Sequence, residues 1–167
     1  MKKNHIKIEI EKLSNLIFED VVSYRKWIHQ HPELSFNEEK TSKFICSILK
    51  KNNIKFSNEI AGFGIVATIK GKNPSSRIIG FRADMDALPI NEENEVEYKS
   101  RYKGLMHACG HDVHSSILLG VAIIVNKLKE NLQGTIKFIF QPAEEKLPGG
   151  ASLMIKEGVL KNPDVEK

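Results

Sequence analysis

The chain has 167 residues, 41% hydrophobic and 28% charged, and its 25 basic and 21 acidic side chains give a formal charge of +4. That length suits one domain with a sizeable core, and no low-complexity tract or internal repeat interrupts it. The lysines are dispersed among glutamates, which excludes a nucleic-acid footprint, and no run approaches the roughly 20 apolar residues of a membrane span.

Met1-Lys2-Lys3 leads into alternating isoleucine, lysine and glutamate without an apolar segment, so a secretory signal is not expected and a soluble cytoplasmic protein is. From residue 6 to about 30, Ile6, Ile10, Leu13, Ile17, Val21, Tyr24 and Ile28 follow helical spacing. His31-Pro32 should end that helix, because proline disfavours the α conformation in the residue before it. Ser35 to Glu39 reads as a second helix start, with Phe44, Ile45, Ile48 and Leu49 forming an apolar face to about Lys51. Cys46 lies on that stretch and reads as a structural thiol; with Cys109 in a different setting, no disulfide framework is implied.

Three strand candidates follow: Ile54 to Phe56, short and weak; Gly64 to Lys70; and Arg77 to Ala83, apolar enough for burial on both faces. The third runs directly into Asp84-Met85-Asp86. Residues 87–106 carry Pro89, Gly104 and many charges, and read as an irregular excursion. From Asp112 to about Asn131 the sequence predicts a helix, with Asp112 as N-cap and Ile117, Val121, Ile124, Val125 and Leu128 as the buried stripe. A strand over Thr135 to Phe140 then delivers Gln141, Glu144 and Glu145, and a last helix runs from Ala151 to about Glu157. Alternating strands and helices make the class α/β.

Chemistry concentrates in three places. Cys109 and His111, two residues apart around Gly110, can face one metal ion or bridge two, since i and i+2 share a side in extended chain. Glu144 and Glu145 can divide the labour of hydrolysis, one as ligand and one holding a metal-activated water. Asp84 or Asp86 can orient a ligand imidazole. Each pair taken alone also fits a plainer reading: a thiol and imidazole with structural roles, or loop acids turned to solvent. If the strands preceding Asp84 and Glu144 are parallel neighbours, all three clusters meet at the carboxyl ends of strands, where open α/β sheets build ligand sites. No G-x-G-x-x-G follows a strand, which removes a dinucleotide-binding domain.

The run from Met106 through His107, Cys109, His111 and Asp112 to His114 resembles the cysteine-containing metal motif of bacterial and plant N-acyl-amino-acid amidohydrolases. That family includes hippurate hydrolases and hydrolases of indole-acetyl amino acids, within the wider aminoacylase/carboxypeptidase metallohydrolases. Arg25 to Leu34, Phe81 to Ile90 and Phe140 to Glu145 resemble the same family in the same order. The resemblance implies a mixed, largely parallel sheet flanked by helices, as in zinc-exopeptidase-like catalytic domains, here incomplete. It implies that Cys109, His111 and Glu145 ligate a two-metal centre, with zinc or manganese as the first candidates and cobalt or nickel as the others. Glu144 would be the general acid/base. Asp86 matches an aspartate supporting the metals, and Asp84 stands where other branches carry a ligand histidine. His29 and His31 belong to a family signature and are expected to pack or hydrogen-bond, without ligating. The implied substrate is an N-acyl amino acid, with no nucleic-acid or membrane partner, and full-length relatives are expected to form homodimers or larger assemblies. Relatives of this kind continue with a further ligand histidine, an inserted lid domain and a closing catalytic segment. Residues 1–167 are accordingly expected to be the N-terminal part of a catalytic domain, holding three of five protein ligands. The alternative is an inactive fragment that retains partial metal binding.

Overall fold

A computed structural model of the protein describes residues 2–166. Its elements in chain order are α1 (Lys2–Gln30), α2 (Glu39–Lys51), β1 (Phe56–Ile60), β2 (Gly64–Lys70), β3 (Ile78–Asp84), α3 (His111–Lys127), β4 (Thr135–Gln141) and α4 (Gly150–Lys156), with a short 3₁₀ turn at Lys129–Asn131. Among the described residues no helix is long and apolar enough to cross a membrane.

The four strands form one mixed sheet in the order β1-β2-β4-β3. Alternation along β4 divides the molecule into layers. Ile136, Phe138 and Phe140 join Ile65, Ala67 and Ile69 of β2 in the main core, against Ile17 and Tyr24 of α1, Ile45, Ile48 and Leu49 of α2, and Leu118, Leu119, Ala122 and Ile123 of α3. Ile139, on the opposite face, packs with Met154 of α4 and Val159 in a smaller cluster. Trp27 stacks on Phe44 with ring centroids 4.0 Å apart, joining α1 to α2.

An α/β fold with a mixed sheet is what the sequence implies, but the sheet is less parallel than expected. Only β3 and β4 run parallel; β1 with β2 and β2 with β4 are antiparallel. Connection length explains this. Parallel neighbours require a crossover of a dozen or more residues, which β3 and β4 have through α3; the short links 61–63 and 71–77 reverse the chain from β1 to β2 and from β2 to β3, so β4, parallel to β3, runs antiparallel to β2. Residues 61–63 close a hairpin between β1 and β2, with Ala61 at φ 50° and Gly62 at φ 91°.

Two features of α3 also differ from expectation. Gly110, at φ 93°, occupies the N-cap position, while Asp112 is fully buried in the first turn. Its carboxylate accepts from Arg25 Nε at 2.7 Å and approaches His29 Nδ1 at 2.7 Å. Two cationic partners outweigh a capping N–H. The buried stripe is rotated as well: Ile117 is 54% exposed and Val121 36%, whereas Leu119 and Ala122 are fully buried. The helix is apolar around most of its circumference, so periodicity could not select the inward face. The small residues did, because a Cβ on Gly120 would stand 2.8 Å from Val21 Cγ2 of α1.

Helix α2 begins at Glu39, later than the Ser35 expectation, because residues 33–38 are engaged elsewhere. Leu34 bridges to Ala87, and Ala87 N–H donates to the Glu33 carbonyl at 2.8 Å. β1 begins where the weak Ile54–Phe56 candidate ends, and Ile54 is buried in the main core.

The rotation of α3 makes a direct prediction. Replacing Leu119 by alanine should cost about 2–5 kcal/mol in urea unfolding, and Ile117 to alanine should stay within about 0.5 kcal/mol. Equal losses would mean the helix faces the other way.

Candidate metal centre

The parallel pairing of β3 and β4 sets the site. Asp84 lies level with Gln141 in the ladder, and Met85 N–H extends it by donating to the Gln141 carbonyl at 3.0 Å. Asp86 and the Ala143–Glu145 turn therefore emerge side by side. The Asp86 carboxylate joins them: its Oδ2 accepts from Glu145 N–H at 2.9 Å and from Ser35 Oγ at 2.7 Å. Burial pushes the Asp86 carboxyl up, but hydrogen bonds from His111, Ser35 and the turn's backbone outweigh it and hold the group well below the usual carboxylate range.

Gly110, with its left-handed φ, turns the chain between Cys109 and the start of α3. His111 Nδ1 donates to the Asp86 carbonyl at 2.9 Å, and the Asp86 Oδ1 lies 3.3 Å from the same nitrogen. The ring is thereby fixed with Nε2 facing Asp84 Oδ2 at 3.9 Å, Glu145 Oε1 at 3.9 Å and Glu144 Oε2 at 4.0 Å. These separations are too long for hydrogen bonds. Burial alone would lower the pKa of His111, but the Asp86 hydrogen bonds and the surrounding carboxylates raise it to about 9.

Ligand atoms of Cys109, His111 and Glu145 lie within 4.8 Å of one another. Atoms bound to one ion at about 2.0–2.3 Å stand at most about 4.6 Å apart, so a small contraction lets the three share one. The donor set, a thiolate, an imidazole and a carboxylate, suits a transition metal. Local electrostatics agree. Asp84 is pushed up, first by burial and in part by Glu144, although it is ion-paired with the Arg82 guanidinium and lies 3.3 Å from His114 Nδ1. The exposed Cys109 thiol is pushed up by burial of its sulfur and by Glu145, Glu144 and Asp84. A divalent cation among these groups would relieve both. The sequence thus picked out residues that the fold brings together, with Glu144 beside them and more exposed than Glu145.

Behind the site lies a buried polar layer in which His29 and His31 take the hydrogen-bonding roles expected of them, with partners that the sequence did not disclose. His29 is held between Asp112 Oδ2 at 2.7 Å and Glu92 Oε1 at 3.0 Å. Glu92, from the irregular excursion, also accepts Ser100 N–H at 2.6 Å, so this ion pair anchors the excursion to α1 and α3. His31 donates Nδ1–H to the Trp27 carbonyl at 2.6 Å and stacks on that indole. Neither histidine joins the donor cluster, as expected. His107 is buried without a hydrogen-bond partner on either ring nitrogen, and burial lowers its pKa to about 4, leaving it neutral. Of these residues Asp112 and His107 stood in the metal motif, and His29 and His31 in the Arg25–Leu34 signature; Glu92 carried no local signal.

A family model described as peptidase family M20/M25/M40 matches residues 80–167. An N-acyl-L-amino acid amidohydrolase of Geobacillus stearothermophilus is 44% identical over 159 residues, which is 95% of this chain and 43% of that protein. An IAA-amino acid hydrolase of Arabidopsis thaliana is 47% identical over 146 residues, 87% of this chain and 33% of that protein. Among solved structures, the Bacillus subtilis YXEP protein, described as a dinuclear metal binding peptidase from the M20 family, superposes with a TM-score of 0.83 at 39% identity. That match covers 87% of this chain and 41% of the other. The chain thus spans about two fifths of the length of the bacterial relatives it matches.

The His29 pair gives a pH-dependent prediction. The hydrogen bond to Asp112 raises the His29 pKa above its ordinary 6.5, burial opposes this, and Glu92 adds to the rise. Its stabilisation is full below pH 6.5 and fades as pH climbs through the raised folded value. His29→Gln should therefore cost more stability at about pH 6 than at about pH 9 in urea unfolding. A loss that does not vary with pH would show that folding does not raise the His29 pKa.

Proposed function

The chain belongs to peptidase family M20/M25/M40, and on that premise we propose that it carries the metal-binding core of an amidohydrolase acting on N-acyl amino acids. The observation that carries this reading is the convergence of Cys109, His111 and Glu145 ligand atoms within 4.8 Å of one another. The names of the amidohydrolase relatives support the substrate class. In the same reading residues 1–167 are assigned to the N-terminal part of the catalytic domain.

In this reading Cys109, His111 and Glu145 hold divalent ions, two in the complete centre by likeness to the dinuclear relative. The thiolate favours a softer ion such as zinc; manganese, cobalt and nickel are the other candidates. When bound, the ions supply Lewis acidity, making water nucleophilic at neutral pH and polarising the amide carbonyl. The protein's own groups do the rest. Asp86 keeps a proton on His111 Nδ1, which presents Nε2 as the donor atom. Glu144, whose side chain is 41% exposed and whose Oε2 lies 4.0 Å from His111 Nε2, takes the proton of the attacking water and delivers it to the departing nitrogen. Glu145, tied through its backbone to Asp86 and with its side chain less exposed than that of Glu144, suits the ligand's role. A cytoplasmic location belongs to the same reading, supported by Cys46 and Cys109 both being free thiols.

Cobalt titration tests the metal assignment. The thiolate-to-cobalt absorption in the near ultraviolet should appear with the native chain and vanish in Cys109→Ser. Glu144→Gln should keep the bound metal while lowering turnover of an N-acyl amino acid panel by about 10²–10⁴-fold. Undiminished turnover in Glu144→Gln would remove the acid/base role; an unchanged spectrum in Cys109→Ser would remove the ligand.

A further inference from the structure

Glu38 is fully buried, yet it is an acid with one accepted hydrogen bond: Ala143 N–H donates to its Oε1 at 2.7 Å, and Oε2 has no partner. The obvious role for a carboxylate at this point is to cap α2, because Glu38 occupies the N-cap position. It does not do so. No side-chain bond runs from Glu38 to the helix. Glu33 caps α2 from outside, accepting from Lys40 N–H at 3.1 Å with one oxygen, and from Thr41 N–H at 2.8 Å and Thr41 Oγ1 at 2.9 Å with the other. Glu38 is left free to serve a turn 105 residues away in sequence.

That turn carries Glu144 and Glu145. Ala143, at its start, has φ 49°, a conformation that side-chain-bearing residues adopt only when their surroundings impose it. Both of its backbone polar groups are engaged. The carbonyl accepts from Gly150 N–H at 2.8 Å, and Gly150 lies so close that a Cβ there would stand 1.8 Å from the Pro142 oxygen. The N–H is held by Glu38 alone. Burying an acid here costs free energy that an apolar side chain of the same size would not, so its position against Ala143 is the property to explain. Assuming the metal-centre reading above, we infer that Glu38 is a positioning residue: its buried oxygen fixes the Ala143 turn and thereby sets where Glu144 and Glu145 stand against Cys109 and His111. Burial, with a smaller contribution from nearby Asp86, pushes the Glu38 carboxyl up to about 7, so near neutrality a large share of the group is protonated and accepts through its carbonyl oxygen. Glutamine reproduces that form.

The test compares Glu38→Gln, which keeps the accepting oxygen, with Glu38→Met, which keeps the volume and loses it. Amide hydrogen exchange in the metal-free chain reads the turn directly. Met should accelerate exchange at Ala143 and Glu145 by about tenfold or more, while Gln stays close to native. Cobalt affinity should follow the same order, about tenfold weaker in Met and restored in Gln. Native exchange at Ala143 in Glu38→Met, or equal acceleration in both variants, would overturn the inference. Native cobalt affinity in Glu38→Met would overturn it too, by separating the turn from the centre. Failure of the native chain to bind cobalt would instead count against the metal-centre reading, with the exchange pattern still deciding whether Glu38 sets the turn.

Discussion

The Asp86 carboxylate accepts from Ser35 Oγ and Glu145 N–H, and the same residue's carbonyl accepts from His111 Nδ1. Three parts of the chain that share no local sequence are thereby held to one residue: the segment before α2, the turn after β4 and the first turn of α3. Burying a carboxylate is costly unless hydrogen bonds offset it, and here the groups that bond to Oδ2 and to the carbonyl are ones a metal site needs in fixed places. The orientation of His111, the backbone of Glu145 and the close approach of residues 33–38 all depend on the Oδ2 and the carbonyl of this one residue.

Charge is distributed to the same end. The chain as a whole is basic, yet the region beyond β3 and β4 gathers Asp84, Asp86, Glu144 and Glu145 around one histidine. Arg82 neutralises Asp84 from the sheet side. Behind His111, a second layer is balanced internally, with Arg25 and His29 against Asp112 and Glu92. The back of the site is thus closed electrostatically, and the imbalance is confined to the front, where Cys109 and Glu144 reach solvent. A cation entering there meets donors whose mutual repulsion it removes.

Much of this was legible from the residues. The long apolar stripe of α1, the strands at Gly64–Lys70 and Thr135–Gln141, and the placement of Asp86 and Glu145 after strand ends follow from local pattern. The candidate donors were legible because metal ligation draws on few residue types at short spacing. What stayed hidden is non-local. The inward face of α3 is chosen by Gly120 meeting Val21, a contact between elements about a hundred residues apart. Asp112 has a capping residue's chemistry, and only the nearness of Arg25 and His29 gives it another task. Glu38 and Glu92 lie in segments whose local sequence reads as helix start and loop, and their partners come from distant chain. The predominance of antiparallel pairing follows from connection lengths that were visible and from a strand order that was not.

That strand order bears on how the protein is made. β4 lies between β2 and β3 and is the only strand that touches both. As the chain leaves the ribosome, β1 and β2 can form a hairpin, but β3 has no neighbour in the sheet until residues 135–141 emerge. Phe138 and Phe140, both fully buried, arrive with that strand. Until then the helices face an open layer, and β2 and β3 are joined by the insertion of one central strand, at the same moment that the glutamate-bearing turn first meets Asp86.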